Sequence, residues 1–185
     1  GLKTVMLAAQ AIKAGDAKCI VAGGMESMTN APYYVPKARG GMRLGNAEII
    51  DSMVHDGLWD PYYDVHMGMT GEAVCSEYDV TREQQDEYAA RSHARAVAAQ
   101  QAGAFADEIA VLEIQPRKGD PWSFDTDEGP RGDVTAAGLG KLRPAFDKNG
   151  SVTPGNASTI NDGAAATVVM SAEKAAELGV TPLAH

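Results

Sequence analysis

Residues 152–164 read VTPGNASTINDGA, and they lead directly into the small apolar run GAAATVVM at residues 163–170. The apolar run is typical of a strand packed on both faces, and Ser171 after it is a good cap for a following helix. The stretch before the strand combines glycine with short hydroxyl and amide side chains, which allow a backbone to approach a ligand closely. Spacing alone leaves two interpretations open, a ligand-contacting loop or a tight polar turn.

The beginning of the chain shows the same alternation of helix and strand. Apolar residues from Leu2 to Ile12 recur at helical spacing, and Gly15 is a natural helix stop. Residues 18–22 then form a short apolar run, KCIVA, which is typical of a buried strand. The two ends of the chain therefore predict α/β structure on either side of a long middle region.

The middle region, residues 25–151, reads as an insertion of mixed structure. A helix is expected at residues 67–77, and a second helix begins at Thr81, which forms a capping box with Gln84. Residues 109–114 alternate like a half-buried strand. The remaining sequence is rich in proline, glycine and polar residues, which favours loops.

Composition and charge exclude several classes of function. The net charge of −9 argues against a nucleic-acid partner, because binding phosphate backbones requires a basic surface. No apolar run is long enough to span a membrane, so no membrane partner is expected. Cys19 and Cys75 are too few for a disulfide framework, which favours a reducing, cytoplasmic location, although organelle targeting is not excluded. Both thiols are expected in the core, because neither has a cationic neighbour or a helix N-terminus.

His66 stands out among the histidines. It precedes MGMTG at residues 67–71, a predicted helix start where glycines leave room for a close-approaching ligand. Packing alone explains the same pattern, so both interpretations stay open. No metal ligands occur at a recognisable spacing, and residues 125–129 resemble a calcium loop only faintly because its bidentate glutamate is missing.

Several segments together resemble the thiolases, enzymes that make or break carbon–carbon bonds between coenzyme A thioesters. The stretch at residues 152–164 resembles the family's VTAGNAS-x-x-NDGAAA signature, with Pro154 replacing the usual alanine. The other resemblances cover nearly the whole chain in the family's order: AGGMESM at 22–28, HMG at 66–68, TREQQD at 81–86 and LRPAF at 142–146.

The resemblance implies a partial thiolase fold, a layered α/β domain with a mixed sheet. Residues 1–24 and 152–185 would then be parts of the N-terminal core domain. Residues 25–151 would form an inserted loop domain that carries coenzyme A binding and tetramer contacts. Within it, the resemblance assigns residues 39–45 to the contact between two tight dimers, so a homodimer or homotetramer is expected.

The resemblance places the catalytic residues outside these 185 residues. The nucleophilic cysteine would lie just ahead of Gly1, at the start of the first helix, where a helix N-terminus stabilises a thiolate. The general base and acid would follow His185. The chain is therefore expected to be an interior fragment that is inactive alone. The resemblance implies no cofactor or metal, since the coenzyme A thioesters are substrates.

Four residues are expected to bind coenzyme A by the same resemblance. His66 and Met67 would line the pocket near the thioester, with Met67 limiting the length of the acyl group. Ser158 would hydrogen-bond the pantetheine arm. Arg131, which lies twelve residues before Arg143, would contact the nucleotide end.

The resemblance leaves the activity among three alternatives. The HMG segment favours condensation of two acetyl-CoA to acetoacetyl-CoA and CoA, or the reverse thiolysis. A degradative 3-ketoacyl-CoA thiolase with a wider pocket is the second alternative. A non-catalytic, thiolase-like coenzyme A binding module is the third. A dinucleotide-binding oxidoreductase is disfavoured, because the chain has no phosphate loop after a strand.

Overall fold

The computed structural model describes residues 1–184, which form two compact units. The first unit contains residues 1–57 and the segment that begins at Ile160, and the second spans Leu58–Thr159. The boundaries expected from the sequence, after residues 24 and 151, stay a prediction, and His185 lies outside the described residues. Helices alternate with strands, in keeping with the predicted α/β class.

The principal elements follow in chain order: α1 (Leu2–Ala14), β1 (Cys19–Glu26), β2 (Tyr33–Tyr34), β3 (Ile50–Asp51), β4 (Trp59–Asp60), β5 (Val65–His66), α2 (Met67–Glu77), α3 (Arg82–Gln101), β6 (Leu112–Ile114), β7 (Trp122–Phe124), α4 (Ala136–Leu139), β8 (Gly163–Met170) and α5 (Ala172–Leu178). Short 3₁₀ turns occur at Met28–Asn30 and Ala38–Gly40, and a π-helical turn spans Met53–Leu58. Within residues 1–184, each sheet is a single antiparallel pair of strands.

The first unit is built around the pairing of β1 with β8, from Cys19 opposite Met170 to Glu26 opposite Gly163. Helix α1 packs on this pair, where Ala8 of the helix is buried. The Thr4 hydroxyl donates to the Gly23 carbonyl across a distance of 2.8 Å and so ties the first turn of α1 to the strand.

The burial expected for these strands is wrong. Val21 of β1 and Val168 of β8 are 71% and 60% exposed, although both strands read as buried. Cys19, expected in the core, is exposed as well, and Cys75 is only partly covered. Two strands and one helix cannot cover both faces of a sheet, so the apolar side chains have too few neighbours among the described residues.

A small hairpin in the first unit is held by a polar cluster. Strand β2 pairs with β3, and the Tyr34 hydroxyl donates to Asp56 in the π-helical turn. Asp56 also accepts from His55 Nδ1 at 2.8 Å if that nitrogen carries a proton. The hydrogen bond with Asp56 raises the pKa of the Tyr34 phenol, and the same bond lowers the pKa of the Asp56 carboxyl.

The helix ends follow the local signals of the sequence. Gly15 ends α1 in the left-handed conformation, with φ of 86°. Thr81 and Gln84 form the predicted capping box at the start of α3, and Ser171 caps α5. The strand expected at residues 109–114 is shorter than predicted, because only Leu112–Ile114 pairs with a neighbour. Among residues 1–184, no helix is both long and apolar enough to cross a membrane.

Candidate functional site

The irregular segment at residues 150–158 is fastened to helix α2 by one carboxylate. Glu72 accepts the backbone N–H of Ser151 at 3.0 and 2.9 Å and that of Val152 at 2.8 Å. The Ser151 hydroxyl donates to the same carboxylate across 3.1 Å. A carboxylate that accepts several N–H and O–H donors makes stronger bonds than a neutral acceptor, so this part of the segment is held firmly.

Helix α3 holds the same segment through Asp86, which is only 3% exposed. Asp86 accepts from Asn156 Nδ2 at 3.0 Å and forms an ion pair with Arg82, whose Nε lies 2.7 Å from the carboxylate. The Arg82 guanidinium also donates to the carbonyls of Leu139 and Leu142, at 2.7 and 3.1 Å. The buried charges are therefore paired and hydrogen-bonded, as a buried ion pair requires.

A compact turn lies between these two anchors. Thr153 is fully buried, and its backbone N–H donates to Asn156 Oδ1 at 2.7 Å. Its carbonyl accepts the N–H groups of Asn156 and Ala157. Gly155 packs so closely that an added Cβ would lie 2.5 Å from a Leu139 methyl carbon. The Asn156 amide therefore closes the turn, and the lack of a side chain at Gly155 lets Leu139 pack against it.

His66 caps the N-terminus of α2, where its Nδ1 accepts the Gly68 N–H at 2.9 Å. That acceptance assigns the proton of the neutral ring to Nε2. The ring stacks on Phe146, with centroids 4.8 Å apart and planes inclined by 26°. Gly68 lies directly against the same phenyl ring, so that any side chain at position 68 would overlap it.

The LRPAF segment therefore meets the HMG segment. The Ala145 N–H donates to the Val152 carbonyl at 2.9 Å, which joins the LRPAF segment to the signature as well. Met67 is the first residue of α2 and is 38% exposed, so its thioether side chain is available at the surface of this unit. These contacts bring three of the quoted segments into one continuous packing arrangement.

Ser158 and Arg131 occupy the less covered parts of this unit. Ser158 follows the compact turn and is exposed. Arg131 is also exposed, and its backbone N–H donates to His93 Nδ1 of α3 at 3.2 Å. His93 is half-buried and holds the loop that carries Arg131.

The second half of the signature lies in the first unit. Asp162 accepts the backbone N–H of Thr29 at 2.9 Å, and this hydrogen bond lowers the pKa of the Asp162 carboxyl. The contact joins the signature to Thr29, the residue that directly follows the AGGMESM motif at residues 22–28. Among the described residues, no group of three or more potential ligands is arranged to hold a metal ion.

Sequence reasoning missed the residues that position the site. Glu72, Asp86 and Phe146 lie inside or beside recognised segments, but no spacing rule connects them with residues 70 to 80 positions away.

Comparison with known protein families gives one match that covers most of the chain. Residues 1–173 match the family described as thiolase, N-terminal domain. Curated relatives match the chain over its full length. A protein named acetyl-CoA acetyltransferase from Pseudomonas aeruginosa is 55% identical over 185 residues, which is 100% of this chain and 47% of the relative. A protein of the same name from Cupriavidus necator is 57% identical over 184 residues, again covering 47% of the relative.

Solved structures agree with the sequence relatives. The acetyl-CoA acetyltransferase of Bacillus anthracis superposes with a TM-score of 0.87 and is 44% identical, and the match covers 99% of this chain and 46% of that one. The corresponding protein of Syntrophomonas wolfei gives a TM-score of 0.89 at 41% identity, with the same coverage. The chain spans about half the length of the curated relatives it matches. By this family match and these relatives, the chain belongs to the thiolase family, in the region of its N-terminal domain.

Proposed function

We propose that the whole protein containing this chain is an acetyl-CoA acetyltransferase. The observation that carries the proposal is identity of 55–57% across the full chain to relatives of that name. The structure supports it by showing that the residues expected to bind coenzyme A lie on one well-anchored unit, Leu58–Thr159.

The proposed reaction passes an acetyl group through a cysteine thioester. The cysteine thiolate displaces CoA from one acetyl-CoA, so that a C–S bond forms as another breaks, and the departing CoA thiolate takes a proton from the acid. A base removes an α-proton from a second acetyl-CoA, and the resulting carbanion attacks the acetyl-cysteine carbonyl. Acetoacetyl-CoA is released and the thiolate is regenerated. Family resemblance assigns the cysteine, base and acid to positions outside these residues.

The contribution of this chain would be recognition of the coenzyme A thioester. His66 would face the thioester through Nε2, because Nδ1 is already occupied by the Gly68 N–H. Met67 would close the acyl end of the pocket. Ser158 would hydrogen-bond the pantetheine arm, and the exposed Arg131 guanidinium would contact the nucleotide end.

The remaining properties of the whole protein form part of the same proposal. No cofactor is required, since the coenzyme A thioesters are both substrate and product. The protein is cytoplasmic, in keeping with two unpaired cysteines. It forms a homodimer or homotetramer, and the fully exposed Leu44 side chain in the segment at residues 39–45 supports a contact there.

The test is thiolysis by the whole protein, expressed from the full coding sequence. Loss of the acetoacetyl-CoA enolate absorbance is followed after free CoA is added, with a variant in which the nucleophilic cysteine is alanine as the control. Loss that depends on the cysteine supports the proposal.

Other outcomes would favour the alternatives. A folded protein that binds CoA without cleaving acetoacetyl-CoA is either a binding module or a thiolase for longer chains. A series of 3-ketoacyl-CoA substrates of increasing length separates these two, because only the latter cleaves any of them. Equal turnover of short and long chains by the unmodified protein would point to the degradative thiolase.

A further inference from the structure

Glu72 is the link between the two parts of the chain that the proposed function assigns to the coenzyme A thioester. Helix α2 begins at Met67, directly after His66, and Glu72 lies five residues further along the same helix. At a rise of 1.5 Å per residue, the carboxylate is anchored about 7.5 Å from the start of the helix. Glu72 therefore lies on the same helix as Met67, which forms the acyl end of the proposed pocket, but Glu72 does not itself line that end.

The partners of Glu72 all lie at the entrance to the signature turn. The carboxylate accepts both backbone N–H groups of Ser151 and Val152 as well as the Ser151 hydroxyl. These two backbone donors lie in no helix or strand. The Glu72 carboxylate therefore ties the backbone of this segment directly to α2, whereas Gln85 and Asp86 hold the same segment from α3.

Gly150 shows how closely the segment at residues 150–158 packs against Glu72. A Cβ added at this residue would overlap the Glu72 carboxylate, and Gly150 is not among the glycines with positive φ. A Cβ at position 150 would therefore displace the Glu72 carboxylate, whereas the backbone conformation there does not itself favour glycine. The Ser151 hydroxyl is fixed further by Gln85 Nε2 of α3, at 2.9 Å.

We propose that Glu72 is a positioning residue for coenzyme A binding, which sets the distance between Met67 at the acyl end and Ser158 at the pantetheine arm. The inference rests on the proposed function for its ligand. Glu72 does not touch the reacting atoms. Its carboxylate holds the backbone at residues 151–152. The compact turn follows these residues, and Ser158 lies at the end of that turn, so the position of Ser158 depends on the Glu72 contact.

The first test compares Glu72→Gln with Glu77→Gln in the whole protein. Glu77 is the matched control, since it is an exposed glutamate on the same helix. The glutamine amide would direct a donor at backbone N–H groups and so lose part of the contact. In Glu72→Gln, the KM for CoA in thiolysis rises about tenfold and kcat at saturating CoA stays within about twofold. Glu77→Gln changes neither.

A second variant displaces the carboxylate without altering its charge. Gly150→Ala presses a methyl group against Glu72, and Gly57→Ala is its control because nothing lies within 4 Å of a Cβ there. We expect the same rise in KM for Gly150→Ala. We expect the KM for CoA of the Glu72→Gln, Gly150→Ala double variant to be no higher than that of the single variant with the higher KM, since both substitutions act through one contact.

Binding of CoA measured by calorimetry separates this inference from the proposed function. If the unmodified protein binds CoA but shows no thiolysis, the proposed function fails, and about tenfold weaker binding by Glu72→Gln still supports the positioning role. The role is overturned if Glu72→Gln and Gly150→Ala bind CoA as tightly as their controls. It is overturned equally if kcat falls while KM is unchanged, or if the unmodified protein does not bind CoA.

Discussion

The carboxylates of Glu72 and Asp86 hold one irregular segment from two different helices. Glu72 binds the backbone at residues 151–152, whereas Asp86 binds the side chain of Asn156. The two contacts differ in kind, because Asp86 is almost fully buried and forms an ion pair with Arg82. Loss of Asp86 should therefore affect stability, whereas loss of Glu72 should affect mainly the position of the segment.

Replacing Asp86 with asparagine should lower the free energy of unfolding by about 2–4 kcal/mol. The substitution preserves shape but removes the negative charge, so the Arg82 guanidinium is left partly buried without its counter-ion. Urea unfolding of the whole protein measures the change. Glu87→Gln on the same helix is the control, because Glu87 is exposed and should change the value by less than about 0.5 kcal/mol. An Asp86→Asn protein as stable as this control would contradict the argument.

Replacing Met67 with alanine should broaden the acyl-chain preference of the whole protein. The side chain begins the helix at the acyl end of the proposed pocket, and its removal leaves room for additional methylene groups. The ratio of kcat/KM for a six-carbon 3-ketoacyl-CoA to that for acetoacetyl-CoA should rise about tenfold. Tyr78→Ala, at an exposed position directly after the same helix, is the control. An unchanged ratio would contradict the assignment of Met67 to the acyl end of the pocket.

At the scale of elements, the helices were predictable because their signals are local. The capping box of Thr81 and Gln84 and the stop at Gly15 depend only on residues within one or two turns. The anchors of the signature segment were not predictable in this way. Glu72 and Val152 are separated by 80 positions, and no periodicity in either segment indicates the other.

For the strands, the apolar composition predicted burial on both faces, but the described residues do not provide the neighbours that would bury them. An apolar run such as that at residues 163–170 indicates what a strand requires around it, namely neighbours on both faces. Whether those neighbours exist depends on elements elsewhere in the protein. The two predicted strands are therefore present as β1 and β8, with β1 extending to Glu26, whereas their burial is not as predicted.

Replacing Gly23 with alanine should weaken the β1–β8 pair. An added Cβ would lie 2.5 Å from the Ala165 carbonyl oxygen and 3.2 Å from the Ala166 Cα, both of which belong to the backbone of β8 and cannot rotate away. We expect a loss of about 1–3 kcal/mol in unfolding free energy. Gly163→Ala at the end of the same pair meets nothing within 4 Å and serves as the control. Equal unfolding midpoints for the two variants would refute the clash.

At the scale of the whole molecule, the described residues leave an apolar sheet face uncovered. Val21 and Val168 are direct partners across the strands, and both side chains are more than half exposed. Paired apolar residues on an open two-stranded sheet favour association with another apolar surface. The negative net charge of the chain opposes this association only weakly at physiological ionic strength, because the charges are screened.

The isolated 185-residue chain should therefore self-associate, and the Val21→Thr, Val168→Thr double variant should do so less. Threonine keeps the β-branched shape and the strand preference while reducing the apolar surface. Sedimentation velocity at several protein concentrations measures the effect. Val111→Thr, at an exposed position in the other unit, should leave it unchanged. An isolated chain that is monomeric at all concentrations would contradict this prediction.

The pairing of β1 with β8 also sets an order of events during synthesis on the ribosome. Ala22 and Thr167 are neighbours in the sheet but lie 145 positions apart in the chain. At roughly 5–20 residues per second, β1 is synthesised about 7–29 s before its partner strand exists. The unit spanning Leu58–Thr159 is completed within that interval. A nascent chain of this protein thus displays an unpaired apolar strand while the 145 positions between Ala22 and Thr167 are added, and we expect chaperones that bind extended apolar segments to bind it during that interval.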